Sequence, residues 1–590
     1  MSATTTPRPR VGGRIVPLAL GLLVVVAAAL AWALIEQAED RVTVFPGART
    51  VAASPETAIT LRGATADGLG DVVVTGSRSG VHAGRLTDHP DGGGAAFVPD
   101  EPFSAGERVT VEASGERMSF GIARELGTPA PPFDAAKRAT DPDVQAFRSR
   151  PELRPPAIQV RARSAAAAPG SVFVAPKRGA TQQGPMILDE DGELVWFHPL
   201  DGDRQAFDFR AQEYRGEPVL TWWEGRMATY RGAGVGRIVD SAYREVATVR
   251  AANGYELDAH EFQLTPKGTA LIISYVPVPW DLSELGGRRD GIVEDNVVQE
   301  IDVATGAVLF EWHALGTIAL GESIRSAPAK AGQMHDPFHL NSAALDRDGN
   351  ILVSARHTNA IYKLDRRTGA LMWRLGGKRG DFAMAPGTEF ALQHDAGRRA
   401  DGAITLFDNV AEDVPARGRR SRALALRLDE PRRTASVAQW WEHDAALLST
   451  TQGSTQNLDG GGTFVGWGGL QPYFSEYSAD GRTVFDARFV PDGVETYRAY
   501  RFPWDGAGEG EPAAVARTRG DRTTVSASWN GASGVATWRV RAPGAEPVSA
   551  PRTGFETAIR LDGTPDEVVV EALGASGDVL GTATVAPASG

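Results

Sequence analysis

The chain has 590 residues, of which 42% are hydrophobic and 23% are charged. This length and composition predict a globular protein of three or more domains rather than a disordered chain. The formal net charge is −13 and Lys and Arg form no cluster, which argues against a nucleic-acid partner. Cysteine is absent, which excludes disulfides, thiolate metal sites and cysteine nucleophiles.

Residues 1–36 are predicted to form a cytoplasmic N-terminus and a transmembrane anchor. The run from Ile15 to Ile35 is apolar and uncharged, and it has about the length that spans a bilayer. Three arginines precede this run and acidic residues follow it, so the positive-inside rule places the N-terminus in the cytoplasm. We therefore expect a single-pass protein of the cell membrane, with the bulk of the chain extracytoplasmic. A cleaved signal peptide is the alternative, and its apolar core is usually shorter.

Two flanking regions have the pattern of β-sandwiches. In residues 37–125, short alternating strands are separated by Gly, Pro and Asp, which predicts an immunoglobulin-like domain. A linker rich in Pro and charge follows at 126–160. Residues 513–590 are again strand-like and predict a fibronectin-like C-terminal sandwich. Neither sandwich has a catalytic pattern, so we expect them to serve binding or spacing.

The middle region, 161–512, contains imperfect repeats. Examples are "ILDEDGELVWFHPL", "EIDVATGAVLFEWHAL" and "ALDRDGNILVSARHTNAIYKLDRRTGALMWRLGG". Each repeat has an Asp-Gly or Thr-Gly turn between β-rich runs, and such turns suit tight hairpins. Repeats of this size with several strands each predict a β-propeller of about six blades. The predicted fold class is all-β, a six-bladed propeller between two sandwiches with one N-terminal transmembrane helix. Seven blades or a pair of sandwiches remain open.

Three of the ten histidines occupy nearly the same position in three repeats. His260, His339 and His394 precede the hairpin glycine of their repeat by eight, ten and eight residues. Because the inner strands of a propeller line one channel, residues at equivalent positions converge at its mouth. The sequence therefore predicts that these imidazoles share a site, although an isolated histidine in such a strand is more often a packing residue.

Other polar residues lie close to these histidines. Asn341 follows His339 by two residues, and Arg356 lies one strand further on. Imidazole serves as a nucleophile, acid or base, and arginine binds tetrahedral oxyanions. The sequence reveals no obvious inward carboxylate, so the pattern favours transfer of an anionic group over hydrolysis by paired acids. "HDPFH" has the i, i+4 spacing of zinc ligands, but Pro337 opposes the necessary helix and no metal is expected.

Several stretches together resemble one known family. "HLNSAALDRDGNILVSARHTNAIYKLDRRTGALMWRLGG", "FALQHDAGRRADGAITLFDN" and "GTFVGWGG" are similar to the arylsulfotransferase (ASST) family, especially its actinobacterial and fungal branch, over about 180–500. The resemblance implies a six-bladed propeller with a central funnel. It also implies transfer of a sulfuryl group from a phenolic sulfate ester to a phenol through a sulfurylated histidine, with no nucleotide donor and no other cofactor.

The resemblance also assigns roles to residues of this chain. His394 of "QHDA" would be the nucleophile, while His260, His339, Asn341 and Arg356 would hold the sulfate and stabilise its oxygens. His357 adjoins Arg356, and strand alternation would place it on the opposite face. Aromatic residues such as Trp467 either stack on phenolic rings or pack between strands. The sequence thus predicts catalytic roles for His394, His260, His339 and Arg356, and substrate-binding roles for Asn341, His357 and Trp467.

Two other functions stay open at this stage. The first is a non-catalytic extracytoplasmic propeller that binds anionic or sulfated ligands in the same funnel. The second is a quinone-dependent dehydrogenase propeller, which normally needs a calcium-binding set of carboxylates that the sequence does not reveal. The natural sulfate donor and acceptor and the oligomeric state do not follow from the sequence.

Overall fold

The computed structural model describes residues 41–125, 143–410, 420–469, 471–491 and 493–589. Their regular structure is almost entirely β-strand, which confirms the all-β class. The helices among them are short: an α-helix at Ala66–Leu69 and 3-10 turns at Ser283–Leu285, Leu320–Glu322, Arg356–Thr358 and Asp459–Gly461. The predicted anchor and much of the predicted linker lie outside the described residues. Within the described residues, none of the helices has the length and apolar character needed to cross a membrane.

The N-terminal domain is a sandwich of two four-stranded sheets. In spatial order, one contains Thr43–Phe45, Ile59–Arg62, Gly94–Pro99 and Gly84–Asp88, and the other contains Gly80–Val81, Val73–Gly76, Arg108–Ala113 and Glu116–Gly121. Alternate side chains of both sheets, such as Leu61, Val74 and Val109, are buried in one shared core. This period-two burial explains why the sequence alternates between apolar and polar residues.

The central region consists of six mainly antiparallel sheets, numbered here along the chain. Sheets 1 to 3 contain, in spatial order, Leu194–Phe197, Met186–Leu188, Ser171–Val174 and Ala499–Phe502 (sheet 1); Gln205–Tyr214, Glu217–Ala228, Arg231–Val239 and Glu245–Val249 (sheet 2); and Phe262–Leu264, Thr269–Trp280, Gly291–Asp302 and Val308–His313 (sheet 3). Met334–His335 adds a short parallel pairing to Gly291–Asp302 of sheet 3.

Sheets 4 to 6 repeat the same plan. They contain Leu340–Leu345, Ile351–Ala355, Ala360–Leu364 and Leu371–Gly376 (sheet 4); Ala383–Met384, Thr434–Glu442, Arg422–Asp429, Ile404–Asp408 and His394–Arg398 (sheet 5); and Ser454–Asn457, Thr463–Gly466, Tyr473–Tyr477, Thr483–Phe489 and Ile158–Arg163 (sheet 6). Successive strands pair with their sequence neighbours because tight turns join them. Gly349 and Gly402 adopt φ of 80° and 94° in two of these turns, a conformation that glycine reaches without strain.

Apolar cores join the six sheets into a closed series. One core lies between each consecutive pair of sheets, from sheets 1 and 2 to sheets 5 and 6. A further core joins sheet 6 to sheet 1, where Phe464 and Phe485 are buried together with Val172 and Phe197. Each sheet is therefore covered on both faces, which is why its strands are apolar on both sides rather than alternating.

Strands from the two ends of the central region complete its first and last sheets. Ala499–Phe502 pairs with Ser171–Val174 in sheet 1, and Ile158–Arg163 pairs with Thr483–Phe489 in sheet 6. The latter strand overlaps the end of the predicted linker. Non-local pairing of this kind ties the start of the region to its end.

The C-terminal domain is a second two-sheet sandwich. Its sheets contain Glu556–Asp562, Arg522–Ser528, Ala513–Arg519 and Ala588–Ser589, and Val548–Pro551, Thr537–Arg541, Val568–Leu573 and Val579–Val585. Both sheets contribute to one core around Trp538. The sandwich contacts sheet 1, because the Asn530 amide exchanges two hydrogen bonds with the backbone of Phe197, at 3.0 and 3.1 Å.

Candidate active site

A cavity of about 440 Å³ lies where the six sheets meet. Its lining comes from strands or adjoining loops of every sheet, and it combines imidazoles, cations, one carboxylate and apolar rings. The lining residues that matter for its chemistry are His260, His339, Arg356, His357, His394, Asp336, Lys177, Arg178, Arg325, Gln452, Phe207, Met227, Tyr230, Met334 and Tyr497. Five of the seven residues expected at the site from the sequence thus line one cavity.

His394 begins the strand His394–Arg398 of sheet 5 and is almost fully buried. Its Nδ1 lies 2.7 Å from Oδ1 of Asn409 and 3.0 Å from the carbonyl of Leu392. Both partners accept hydrogen bonds, so Nδ1 carries the proton and Nε2 has the lone pair. The backbone N–H of Gln452 donates to this Nε2 at 3.2 Å. The ring is thereby held as the tautomer that a nucleophile requires.

The environment of His394 also keeps it neutral. Burial, followed by the positive charge of Arg356, lowers the pKa of His394 well below its ordinary value. An imidazole that stays unprotonated at neutral pH retains its nucleophilic lone pair. His394 therefore has both the tautomer and the charge state for attack by Nε2.

His260 and His339 have a different kind of partner. Nδ1 of His260 lies 2.5 Å from Oδ1 of Asp258, and Nδ1 of His339 lies 2.5 Å from Oδ2 of Asp336. The two rings meet edge to face, with centroids 5.0 Å apart. Burial, then His260 and Arg356, lower the pKa of His339 well below its ordinary value. A carboxylate at Nδ1 orients the ring and leaves Nε2 to exchange a proton with a ligand.

These two carboxylates correct the sequence-based expectation that no inward carboxylate is present. Both are short-range partners, since Asp258 precedes His260 by two residues and Asp336 precedes His339 by three. The signal was therefore present in "DAH" and "DPFH". It was missed because an acidic residue in a loop is common and only its hydrogen bond reveals the role.

Arg356 is the cation nearest to the imidazoles. Its Nη1 donates to Nε2 of His357 at 2.6 Å, and its Nη2 donates to the carbonyl of Thr450 at 2.9 Å. Its buried Nε has no hydrogen-bond partner among the described residues. Burial, followed by Arg325, lowers the pKa of Arg356 to about 10, so the guanidinium remains charged at neutral pH. None of its bonded partners is anionic, which leaves the charge available to an anion.

His357 lies in the same cavity, although strand alternation placed it on the opposite face. The strand Ile351–Ala355 ends before Arg356, and Arg356–Thr358 forms a 3-10 turn instead. Alternation no longer applies in this turn, so both neighbours reach the cavity. Nδ1 of His357 lies 2.8 Å from the carbonyl of Asp336, and burial followed by His339 lowers its pKa to about 3.

Asn341 and Trp467, the remaining two expected residues, lie outside the cavity lining. Asn341 is buried, and its Nδ2 donates to the carbonyl of Gln393 at 2.7 Å. Trp467 is buried in the core between sheets 5 and 6, where it packs on Phe407 and donates to Oγ of Ser475 at 3.0 Å. Packing thus explains Trp467, and the expected stacking on a phenolic ring is wrong in this arrangement. The aromatic rings that do line the cavity are Phe207, Tyr230 and Tyr497.

One group of described side chains has the composition of a metal site. Ligand atoms of Asp336, His339 and His357 lie within 4.8 Å of one another. These atoms are engaged with each other and with the backbone, and Nε2 of His357 accepts from Arg356 at 2.6 Å. A guanidinium at that distance repels a cation, so the group suits an anion better than a metal ion.

The fold and the site define an all-β protein in which six packed sheets bring a neutral histidine, two His–Asp pairs and an unpaired guanidinium to one cavity. Residues 210–490 match the family model of Arylsulfotransferase (ASST), so this part of the chain belongs to the arylsulfotransferase family. None of the curated proteins matches this sequence.

Solved structures give remote similarities. A protein of unknown function from Bacteroides caccae is 14% identical, with a TM-score of 0.35, and the match covers 56% of this chain and 98% of that one. A virginiamycin B lyase from Staphylococcus aureus is 9% identical, with a TM-score of 0.27 and coverages of 62% and 95%. Similarity at this level carries no argument about function.

Proposed function

We propose that this protein is an aryl sulfotransferase, which moves a sulfuryl group from a phenolic sulfate ester to a phenolic acceptor through a sulfurylated His394. The observation that carries the proposal is the state of His394, a neutral imidazole whose Nδ1 proton is held by Asn409 and Leu392. The unpaired guanidinium of Arg356 shares its cavity. The match of residues 210–490 to the arylsulfotransferase family supports this chemistry.

The proposal includes the architecture around the site. The closed series of six sheets and six cores supports a six-bladed β-propeller at 161–512. In the N-terminal sandwich, the strand order equals the A-B-E-D and C′-C-F-G arrangement of immunoglobulin-like domains. The first seven strands of the C-terminal sandwich have the orders A-B-E and C′-C-F-G, so among its described residues strand D has no counterpart. This arrangement supports the fibronectin-like assignment. The membrane anchor in 1–36 and the extracytoplasmic location remain predictions from the sequence.

In the first half-reaction, Nε2 of His394 attacks the sulfur of the donor. The N–S bond forms while the bond between sulfur and the phenolic oxygen breaks, and the electron pair leaves with that oxygen. Donors that are already in place around the sulfuryl oxygens, above all Arg356, stabilise the charge that develops there. The Nδ1 proton stays on the ring, where the Asn409 oxygen supports the positive charge.

Proton transfer completes this step and reverses in the next one. The departing phenolate takes a proton from Nε2 of His260, whose Nδ1 is bonded to the Asp258 carboxylate. In the second half-reaction, the same imidazole removes the proton of the acceptor phenol. The phenolate oxygen then attacks sulfur, and the N–S bond breaks to return neutral His394.

The test is transfer from p-nitrophenyl sulfate to phenol by the purified full-length chain. We expect nitrophenol release that depends on phenol, and a covalent adduct of one sulfuryl group on His394 when the donor is supplied alone. His394→Ala removes the nucleophile, so it should lower transfer by at least about a thousandfold and abolish the adduct. His82→Ala, in the N-terminal sandwich, is the matched control and should keep full activity.

Each part of the proposal has its own contrary result. Phenol-dependent release that survives His394→Ala would show that another group accepts the sulfuryl. Tight binding of the ester with neither nitrophenol release nor an adduct would show that the protein is not an enzyme but a propeller that only binds sulfated ligands.

A further inference from the structure

Three guanidinium groups line the cavity, those of Arg178, Arg325 and Arg356, and the mechanism uses only that of Arg356. Arg356 is half-buried between His357 and Thr450, whereas Arg325 is an exposed residue on the open side of the same cavity. The guanidinium of Arg325 makes no hydrogen bond or ion pair with any residue in the described part of the chain. Because Arg325 contributes to the lowered pKa of Arg356, the two charges act on each other through the cavity.

Unlike Arg325, the other two cations of the lining, Lys177 and Arg178, lie beside a carboxylate. Nζ of Lys177 lies 2.8 Å from Oε2 of Glu495, and this carboxylate also has Arg178 at 3.8 Å. The carboxylate of Asp336 accepts from Nδ1 of His339 and from its backbone N–H. Neither carboxylate is therefore a counterion for Arg325. Two like charges that face one cavity without built-in counterions favour a ligand with two negative charges.

Apolar groups share the cavity with these two cations. Phe207, Met227, Tyr230 and Met334 contribute side chains to its lining. Rings and methionine side chains of this kind make favourable contacts with an aromatic ligand. The cavity thus offers an anion site at Arg356, an apolar surface, and a second cation at its mouth.

We propose that the preferred sulfate donor is an aryl sulfate that carries a second anionic group, such as a carboxylate, on its ring. Arg356 holds the sulfate at His394, the ring lies against the apolar lining, and Arg325 binds the second anion. This inference rests on the proposed function, because it names the substrate class of the same site. A sulfate monoester has a single negative charge, which Arg356 satisfies, so only an additional anion engages Arg325.

Binding tests the inference independently of turnover. In His394→Ala, calorimetry would compare phenyl sulfate with 3- and 4-carboxyphenyl sulfate, and the two isomers sample different distances between the charges. We expect at least one dianion to bind about fivefold more tightly than phenyl sulfate, as one additional charge-assisted contact in a partly exposed site would give. The preference should shrink as salt is raised, because the contact at the mouth is screened.

Variants of Arg325 assign the preference to this residue. Adding Arg325→Ala should remove the dianion preference, Arg325→Lys should keep part of it, and Arg325→Glu should reverse it. Arg432→Ala, at an exposed arginine in the turn between two strands of sheet 5, is the control and should leave the preference intact. Equal affinities for the monoanion and both dianions, or a preference that survives Arg325→Ala, would overturn the inference.

Kinetics in the protein with intact His394 separates this inference from the proposed function. The ratio of kcat/KM for the better dianion over phenyl sulfate should fall about fivefold in Arg325→Ala. If no ester is turned over but the dianion preference in binding depends on Arg325, the proposed function fails and the ligand class stands. If phenyl sulfate is turned over without any dianion preference, the function stands and the inference fails.

Discussion

At the scale of single residues, hydrogen-bond partners divide the histidines of the cavity into two kinds. Nδ1 of His394 donates to an amide oxygen and a carbonyl, which orient the ring without adding a negative charge. Nδ1 of His260 and of His339 faces a carboxylate instead. Partners without charge keep His394 a neutral nucleophile, whereas a carboxylate partner supports a proton at Nε2, as proposed for His260. The hydrogen-bond partner of Nδ1 thus determines which role each histidine takes.

Asn409 is the residue whose loss should most directly affect the orientation of His394. Its Nδ2 donates to the carbonyls of Ser449 and Gln452, at 2.9 and 2.8 Å, so its Oδ1 is fixed towards His394. In Asn409→Ala we expect the nitrophenol burst from p-nitrophenyl sulfate to slow by about 10- to 100-fold, because His394 loses its orienting partner. Asn409→Ser keeps a hydroxyl acceptor and should retain part of the rate.

The pH dependence of the same burst reports the charge of His394. Its pKa lies well below the ordinary value, so lowering the pH from 8 to 6 should not deplete the neutral nucleophile. An unperturbed imidazole would be about three-quarters protonated at pH 6. A wild-type burst amplitude that falls in step with such a titration would contradict the neutral state proposed for His394. Unchanged burst rates in both Asn409 variants would contradict the proposal that Asn409 positions His394.

At the scale of elements, the side chains proposed to act in catalysis lie at the ends of strands, whereas the centres of the strands form the packed sheets. His394 opens its strand, His339 immediately precedes Leu340–Leu345, and Arg356 follows Ile351–Ala355. His339 has a positive φ of 52°, which turns the chain just before the strand begins. Irregular backbone at a strand end can direct a side chain into a cavity, whereas a residue within the strand is committed to one of two covered faces.

Trp467 also directly follows a strand, Thr463–Gly466, but its side chain is buried in the core between sheets 5 and 6. We expect Trp467→Phe to lower the free energy of unfolding by about 2 kcal/mol, because it removes a buried ring and leaves the Ser475 hydroxyl without its indole donor. The KM for p-nitrophenyl sulfate should stay within about twofold of wild type. Chemical denaturation and steady-state kinetics would measure the two effects. A large rise in KM with unchanged stability would restore the stacking role expected from the sequence.

At the scale of the whole molecule, contacts distant in sequence join the domains to the central sheets. Asn530 of the C-terminal sandwich satisfies the backbone N–H and carbonyl of Phe197 on sheet 1. The hydroxyl of Thr60, in the N-terminal sandwich, donates to the carbonyl of Val308 on sheet 3 at 2.6 Å. Strand edges that would otherwise expose unpaired backbone groups are covered in this way.

Substitution of Asn530 should therefore loosen the C-terminal sandwich. We expect Asn530→Ala to cost about 2 kcal/mol, since two buried backbone groups of Phe197 lose their partners. Hydrogen exchange should increase in Leu194–Phe197 and at the edge of the sandwich that faces it. Asp562→Ala, at a fully exposed side chain, is the control and should change neither stability nor exchange. Unaltered exchange in Leu194–Phe197 after Asn530→Ala would show that other contacts hold the domains together.

Much of this organisation followed from the sequence alone. Hairpin turns and β-rich runs are local signals, so the all-β class, the repeated units and the equivalent positions of His260, His339 and His394 could be recognised without coordinates. The motif series also identified the arylsulfotransferase family, because it samples several repeats at once. These features depend on residues that are close in the chain or on a register that repeats.

Tertiary structure alone decided which side chains meet. Asn409, Arg325 and Tyr497 reach the site from units whose sequence gives no sign of it, and the pairing of Asp258 and Asp336 with histidines is visible only as a hydrogen bond. Conversely, Trp467 and Asn341 were expected at the site but lie outside the cavity lining. Periodicity specifies the face on which a residue lies, but the packing of six sheets against one another determines whether that face meets a cavity or a core.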